Sequence, residues 1–278
     1  MSAELAAVAH NDDDLRPRGS LVDVVARLGD RADLGDLYDE QGARAYDDSA
    51  QIDPNEIRAL RRALSRTPGP VLELAAGSGR LTLPLLRMGR HVTALELSAS
   101  MVGRLVENAA AWPAEARARL EVHQGDMTDF DLPQRYGVIV LVAASVSLLD
   151  HDQRLQMLRT ARRHLNPGGV LLLSIGASEA DLDTPNDVVE DVIGRSGQLY
   201  RIHQYRDVGS TLRHVGVYPV LDDPTAVVPI GLGAHRVLDA ETIRGEIQAV
   251  GMSVLREDSA DSGTRAMTEV FLEVGEPS

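Results

Sequence analysis

A carboxylate followed by two closely spaced glycines has the composition of a nucleotide-binding turn. Glu73 ends an apolar run, Gly77 and Gly79 come next, and an amphipathic stretch follows at 81–88. One glycine permits backbone angles that are closed to other residues, and the other removes a Cβ so that a ligand can lie against the main chain. Arg80-Leu81 stands where a P-loop has lysine followed by serine or threonine. The pattern predicts a nucleotide cradle and disfavours a Walker-type NTPase.

Two further acids follow the next predicted strands. Glu96 and then Asp126 come after Glu73 along the chain, each after an apolar segment. Because ligands of doubly wound sheets bind outside the carboxyl ends of the strands, we expect all three carboxylates to face one crevice. An acid after the second strand suits the hydroxyls of a ribose, and Asp126 with Met127 suits an adenine. Met101 is expected to bring a second thioether close to the base.

The elements that position these residues alternate between strand-like and helix-like segments, which is typical of a parallel sheet covered on both faces. The predicted strands are 71–74, 91–95, 120–123, 137–142 and 170–175, and the predicted helices are 80–88, 100–111 and 152–165. A helix at 239–250 and strands at 253–256 and 268–274 are expected to complete the sheet. The predicted fold class is α/β, with a Rossmann-like, doubly wound, seven-stranded sheet.

The sequence divides into five segments. Residues 1–20 are small, acidic and aperiodic, and predict a mobile tail. Residues 21–66 predict an N-terminal helical cap, and 67–176 predict the nucleotide-binding core. Residues 177–235 predict a late antiparallel insertion, and 236–278 predict a C-terminal helix and strands.

Composition disfavours several classes of protein. The formal net charge of −14 would repel a nucleic-acid backbone, so no nucleic-acid partner is expected. The chain has no cysteine, which excludes disulfides and thiol nucleophiles, and its eight histidines are not spaced as metal ligands. Neither a long apolar run nor a secretory signal is present, so we expect a cytoplasmic protein with no membrane partner.

Four motifs in the right order and spacing make the chain resemble the class I S-adenosylmethionine-dependent methyltransferases. They are Glu-x-x-x-Gly-x-Gly at 73–79, the acid Glu96, Gly125-Asp126-Met127, and His-Leu-Asn-Pro-Gly-Gly-Val at 164–170. The resemblance covers residues 55–176 firmly and 236–274 more loosely. It implies methyl transfer with S-adenosylmethionine as the cofactor.

The resemblance also implies roles for individual residues. Gly77 and Gly79 would lie against the methionyl part of the cofactor, and Glu96 would hold the ribose. Asp126 would meet the adenine, and Glu73 matches the acid that neutralises the ammonium end. The other positions assigned to the cofactor site lie beside these residues, in the loop after the fourth strand or in the helical cap: Tyr46, Ala75, Arg80, Leu97, Met101, Gly125, Met127, Val142, Ala143 and Ser145.

Tyrosines and histidines outside the core are candidates for the acceptor site. In the enzymes that the chain resembles, an N-terminal helical segment covers the site and a late insertion forms a wall of the acceptor site. Tyr38 and Tyr46 fall in the cap, where they are expected to form a lid, and Tyr38 is also a candidate catalytic residue. His203 and His214 fall in the insertion, and one of them is expected to act as the base, since an amine must be neutral and a hydroxyl must lose its proton to attack.

The loop that contains Ser145 lacks the Asn/Asp-Pro-Pro-Tyr/Phe pattern of enzymes that modify nucleobases or protein amides. The chain is loosely similar to actinobacterial natural-product N-methyltransferases acting on amino sugars or on ribosomal peptides of the daptide type. We therefore predict N-methylation of an amine in a small-molecule or peptide acceptor. The alternatives are O-methylation of a small-molecule hydroxyl, an NAD(P)-dependent oxidoreductase and a cofactor-binding regulator. Either a monomer or a homodimer is compatible with the sequence.

Overall fold

A computed structural model describes residues 15–40, 42–50, 52–178, 186–261 and 267–277. Most of the predicted mobile tail, residues 1–14, lies outside the described residues. The helices are α1 Leu21–Leu28, α2 Gly42–Ser49, α3 Pro54–Arg66, α4 Thr82–Arg87, α5 Ala99–Ala110, α6 Ala114–Arg117, α7 His151–His164 and α8 Ala240–Ala249. The strands are β1 Ala32–Asp36, β2 Val71–Leu74, β3 Val92–Glu96, β4 Leu120–Gln124, β5 Tyr136–Leu141, β6 Leu165–Ser178, β7 Asn186–Ile193, β8 Leu199–Arg206, β9 Leu212–Pro219, β10 Val228–Arg236, β11 Ser253–Asp261 and β12 Met267–Gly275.

The described residues form two compact units. The core unit contains those within 52–97, 102–180 and 237–278, and the second unit contains those within 1–51, 98–101 and 181–236. Helix α3, which the sequence predicted as part of the cap, belongs to the core unit. The described cap residues up to 50 and the described insertion residues from 186 belong to the second unit.

The core unit is built on a seven-stranded sheet, as the sequence predicted, and the order of its strands is β11-β12-β6-β5-β2-β3-β4. Strands β4, β3, β2, β5 and β6 run parallel, and β12 pairs antiparallel with β6. Every residue of β2, β3 and β5 is buried, because parallel strands in the middle of such a sheet are covered on both faces. The break predicted at 166–169 falls within β6, where its register with β5 shifts.

The second unit contains a five-stranded sheet of order β1-β10-β9-β8-β7. Its strands β7 to β10 are antiparallel, which confirms the predicted insertion. Strand β1 was not predicted, because the segment 21–66 was interpreted as helical. Its five residues show no clear alternation of apolar and polar types. They form a strand because they pair in parallel with β10, which lies far away in the sequence.

Side-chain caps determine where the longer helices begin. Asp150 Oδ1 accepts from the backbone N–H of Gln153 at 2.9 Å, and Gln153 Oε1 accepts from the N–H of Asp150 at 2.9 Å. Asp53 and Glu56 form the same reciprocal capping box at α3, with Pro54 in the first turn. Among the described residues, no helix combines the length and the apolar character needed to cross a membrane.

We expect Asp150→Ala to lower the free energy of unfolding by about 1 kcal/mol, because the first turn of α7 loses its cap. Asp152→Ala is the matched control, since it removes the same charge from the first turn without removing a cap. Urea unfolding followed by circular dichroism measures both variants. Equal losses in the two variants would show that charge, and not the cap, stabilises this helix start.

Candidate active site

The turn after β2 begins at a buried carboxyl group. Glu73 is buried at the end of β2, and its Oε2 accepts from the hydroxyl of Thr82 at 2.6 Å. Burial raises the pKa of Glu73 to about 7, against the opposing effects of the Thr82 hydrogen bond and the positive charge of Arg80. The carboxyl group is therefore held in one orientation and changes its charge near neutral pH.

The glycines of this turn have different surroundings. Gly77 has a left-handed φ of 58°, and a Cβ added there would meet no atom within 4 Å. Gly79 has a φ of 90°, but a Cβ there would lie 3.1 Å from both Leu105 and Trp112. Gly77 thus leaves open space over the main chain, whereas Gly79 also allows close packing of the core unit. Ala75 has a φ of 51°, a conformation that costs energy for any residue except glycine.

The acid at the end of β3 is bonded to this turn. Glu96 is buried, and its Oε2 accepts from the backbone N–H of Gly77 at 2.8 Å. The next residue, Leu97, accepts from the side-chain amide of Gln124 at 3.1 Å. Two neighbouring strand ends, those of β2 and β3, are therefore joined by a charge-assisted hydrogen bond.

Arg80 comes directly after the second glycine of the same turn. Its guanidinium forms a bidentate ion pair with the buried carboxylate of Glu56 in α3, with Nη2 at 3.0 Å from Oε1. The side chain of Arg80 is thus committed to the start of α3. Any contact that it makes with a cofactor has to come in addition to this pair.

The third and fourth strand ends complete the edge of the sheet. Gly125 follows β4, and a Cβ there would lie 2.9 Å from Leu95. Asp126 is half-buried and its Oδ1 accepts from the N–H of Thr128 at 2.7 Å, while Met127 is buried. This hydrogen bond holds the Asp126 side chain against the loop that follows β4.

After β5, the chain passes through Val142 into a tight turn. Ala143 and Ala144 both have left-handed φ angles, 59° and 55°, and Ser145 begins a short 3₁₀ helix. Non-glycine residues are rarely found in this conformation, and such strain clusters at functional sites.

Most of the predicted cofactor residues are therefore brought to one edge of the core unit. Strands β5, β2, β3 and β4 are adjacent and parallel, so their carboxyl ends meet there. The residues at or just after these ends are Glu73, Ala75, Gly77, Gly79, Arg80, Glu96, Leu97, Gly125, Asp126, Met127, Val142, Ala143 and Ser145. Within the described part of the chain, no three histidine or acidic residues are grouped as a metal site.

The remaining predicted site residues belong to the second unit. Tyr38 and Tyr46 make an edge-to-face contact at 5.4 Å, and the Tyr38 hydroxyl lies 3.4 Å from Nε2 of His235. Met101 is buried, and its N–H donates to the hydroxyl of Ser98 at 3.2 Å. That hydroxyl donates to the carbonyl oxygen of Tyr38 at 2.6 Å. The tyrosines predicted as a lid are thus paired with each other.

His203 is buried in the sheet of the second unit. Its Nδ1 lies 2.9 Å from the hydroxyl of Ser20, and its Nε2 lies 3.2 Å from the hydroxyl of Tyr218. Burial lowers the pKa of His203 below its ordinary value. His214 is half-buried on β9, opposite Ala234. The role of a base stays a prediction for both histidines, and a direct hydrogen bond from His203 to an acceptor would have to replace one of these two hydrogen bonds.

Thr82, Glu56 and Ser174 hold the site residues in place, and this role was not predicted from the sequence. Thr82 and Ser174 are fully buried, and each bonds a residue of a strand end or turn. The available signal was a single polar residue within an apolar stretch, as at Ser174 between Leu173 and Ile175.

The raised pKa of Glu73 makes stability depend on pH in the ligand-free protein. Native Glu73 keeps its proton up to about pH 7, whereas the unfolded chain releases it near the ordinary value of 4.5. The native state then binds more protons, so the free energy of unfolding falls as the pH rises through this window. Because glutamine does not titrate, we expect the free energy of unfolding of Glu73→Gln to rise by about 2 kcal/mol relative to that of the unchanged protein between pH 5 and pH 7.

Urea unfolding at several pH values measures this difference. Glu115→Gln, at an exposed position of α6, is the control and should follow the unchanged protein. If the free energy of unfolding changed with pH in the same way in Glu73→Gln and in the unchanged protein, the raised pKa of Glu73 would be contradicted.

Comparison with known proteins finds similar methyltransferases. A methyltransferase domain is matched over residues 71–169, which contain all four strand ends. The structure of the glycopeptide N-methyltransferase MtfA complexed with S-adenosylhomocysteine is 33% identical, with 94% of this chain and 99% of that chain covered and a TM-score of 0.66. MtfA has also been solved with S-adenosylmethionine and with sinefungin.

Curated relatives match over shorter lengths. The rRNA adenine N-6-methyltransferase of Corynebacterium diphtheriae is 32% identical over 84 residues, which are 30% of this chain and 31% of that protein. The dTDP-3-amino-3,4,6-trideoxy-alpha-D-glucopyranose N,N-dimethyltransferase of Streptomyces venezuelae is 29% identical over 148 residues, which are 52% of this chain and 56% of that protein. The chain thus spans between 31% and 56% of the length of these two relatives. Taken with the near-complete alignment to MtfA, these matches show that the chain belongs to the S-adenosylmethionine-dependent methyltransferases.

Proposed function

We propose that the protein transfers a methyl group from S-adenosylmethionine to an amine nitrogen of a small-molecule or peptide natural product. The observation that carries the proposal is the edge of the core unit where Glu73, Gly77, Glu96 and Asp126 lie at or just after the ends of β2, β3 and β4. When bound, the cofactor supplies an electrophilic methyl group on a sulfonium. The chain then has to bind it, orient the acceptor and exclude water.

The residues at this edge fit the cofactor. Gly77 has open space where a side chain would stand, so the methionyl part can lie against its main chain. Glu96 is already fixed by its bond to the Gly77 N–H, which aligns its carboxylate for the ribose hydroxyls. Glu73 has a raised pKa, and a bound ammonium group would favour its ionised form. Cofactor binding near neutral pH should therefore release a proton from Glu73.

The other roles are assigned by position. We place Asp126 and Met127 at the adenine, because they follow β4, the strand next to that of Glu96. Val142, Ala143 and Ser145 follow β5 on the other side of β2, so we assign them to the end of the site where the methyl group is transferred. Tyr38 and Tyr46 stay our candidates for a lid.

An amine acceptor is favoured over a hydroxyl by the relatives and by charge. MtfA and the sugar dimethyltransferase of Streptomyces venezuelae are both named as enzymes that methylate nitrogen. A net charge of −14 attracts a cationic amine and repels nucleic acid. The match to an rRNA methyltransferase covers only 30% of this chain. Location in the cytoplasm stays a prediction from the sequence.

Methyl-labelled S-adenosylmethionine and paired acceptors test the proposal. Each amino sugar or peptide with a free amine is supplied beside its hydroxyl counterpart, and products are identified by mass spectrometry. We expect label on the nitrogen of at least one amine and none on its hydroxyl counterpart. Label found only on oxygen would replace the proposal with an O-methyltransferase.

Glu96 provides a test of cofactor binding that needs no acceptor. We expect Glu96→Ala to weaken binding of S-adenosylhomocysteine by about 1.5 to 3 kcal/mol, the usual effect of losing charged hydrogen bonds. Glu96→Gln should lose less, because its amide oxygen can still accept from Gly77. Calorimetry measures both, with Glu107→Ala as an exposed control on α5. Unchanged affinity in Glu96→Ala would contradict the ribose assignment.

A further inference from the structure

A second buried carboxyl group lies close to the edge of the sheet that carries the cofactor site. Strand β12 runs antiparallel to β6, so it begins where β6 ends. Glu269, near the start of β12, pairs with Gly176 and is only 9% exposed. Sequence analysis gave this residue no role.

Ser174 connects Glu269 to the turn after β5. It is fully buried on β6, two residues before Gly176, the partner of Glu269, so its side chain lies on the same face of the sheet as that of Glu269 and its hydroxyl is placed to donate to the Glu269 carboxyl group. The same oxygen accepts from the backbone N–H of Ala144 at 3.3 Å. Two consecutive hydrogen bonds therefore join Glu269 to a turn in which both Ala143 and Ala144 have left-handed φ angles.

The charged groups around Glu269 come from several elements. From the start of α3, Asp53 hydrogen-bonds Glu269 and Glu56 adds its negative charge. Strand β11 places uncharged Ala260 opposite Glu269. Glu56 is itself neutralised by Arg80.

Glu273, four residues further along β12, is paired with Arg66 and Arg256. Burial is the main cause that raises the pKa of Glu269 to about 7, and Glu56 adds to it while the Ser174 hydrogen bond opposes it. Glu269 therefore exchanges its proton in the neutral range.

Strained turns persist only where the surrounding structure holds them. The Ser174 hydroxyl can hold the N–H of Ala144 by a hydrogen bond. The protonation state of Glu269 determines how strong that hydrogen bond is. Ionised Glu269 accepts the Ser174 hydrogen, which turns an oxygen lone pair towards Ala144. Protonated Glu269 donates to Asp53 and is a weaker acceptor for Ser174.

We propose that Glu269 is a positioning residue of the methyltransferase, acting through Ser174 on the turn at Ala143 and Ala144. The proposal rests on the function proposed above, because that function assigns this turn to the end of the site where the methyl group is transferred. Deprotonation of Glu269 tightens the turn, and protonation loosens it.

Nuclear magnetic resonance of the ligand-free protein labelled with ¹⁵N-alanine tests the connection directly. The amide signal of Ala144 is assigned by its loss in Ala144→Gly, since glycine tolerates the left-handed backbone. We expect this signal to shift with a midpoint near pH 7. The shift should disappear in Glu269→Gln, whose amide keeps both hydrogen bonds but does not titrate.

Ser174→Thr and Ser174→Val form a matched pair of equal size that differ only in the hydroxyl group. The titration of Ala144 should be kept in the first and lost in the second, and Ser174→Ala repeats the test without added volume. All of these titrations are carried out in a Glu73→Gln background, because Glu73 also titrates near pH 7. An Ala144 signal that does not respond to pH, or a midpoint that persists in Glu269→Gln, would then overturn the proposal.

Kinetics provide a second readout, with the amine acceptor found in the screen above. We expect Ser174→Val to lower kcat about tenfold with little change in KM for the cofactor, and Ser174→Thr to restore it. Equal kcat in the two variants would overturn the positioning role. If no amine is methylated, the proposed function fails, whereas the Ala144 titration still decides whether Glu269 controls the turn.

Discussion

The hydrogen bond from the Gly77 N–H to the Glu96 carboxylate is the interaction on which the candidate site depends. It joins the turn after β2 to the end of β3 at 2.8 Å. Because the left-handed backbone at Gly77 presents this N–H and leaves the space above it open, the same residue fixes an acid and leaves room for a cofactor. The hydrogen bond between buried Thr82 and Glu73 also stabilises this turn. The groups that we propose to bind the cofactor are thus held in place without a ligand, which reduces the cost of ordering them.

Much of this could be predicted from the sequence, because the signals are local. Apolar runs that end in an acid or a glycine mark both a strand and its functional end, so Glu73, Glu96 and Asp126 could be assigned to one crevice once the strands were taken as parallel. The alternation of helices and strands also predicted a doubly wound sheet of seven strands, whereas the order of those strands comes from the structure. The match to a methyltransferase domain over 71–169 covers the segment where these signals are densest.

The rest could not be predicted, because it depends on pairings between distant residues. Strand β1 has too few residues for a clear period, and it exists because β10 lies beside it. Arg80 stands next to the glycines in sequence, yet its guanidinium pairs with Glu56. The role of Ser174 follows only from its hydrogen bond to Ala144 in the neighbouring turn. The histidines were chosen by residue type, and the structure shows that His203 has both ring nitrogens in hydrogen bonds.

The central claim is that acids and a glycine turn at consecutive strand ends bind the adenosyl cofactor. A crystal structure of the complex with S-adenosylhomocysteine tests it most directly. The account predicts the ribose hydroxyls within hydrogen-bonding distance of Glu96 and the homocysteine part against the main chain at Gly77. A cofactor found away from these two residues, with the bond between Gly77 and Glu96 unchanged beside empty solvent, would contradict it.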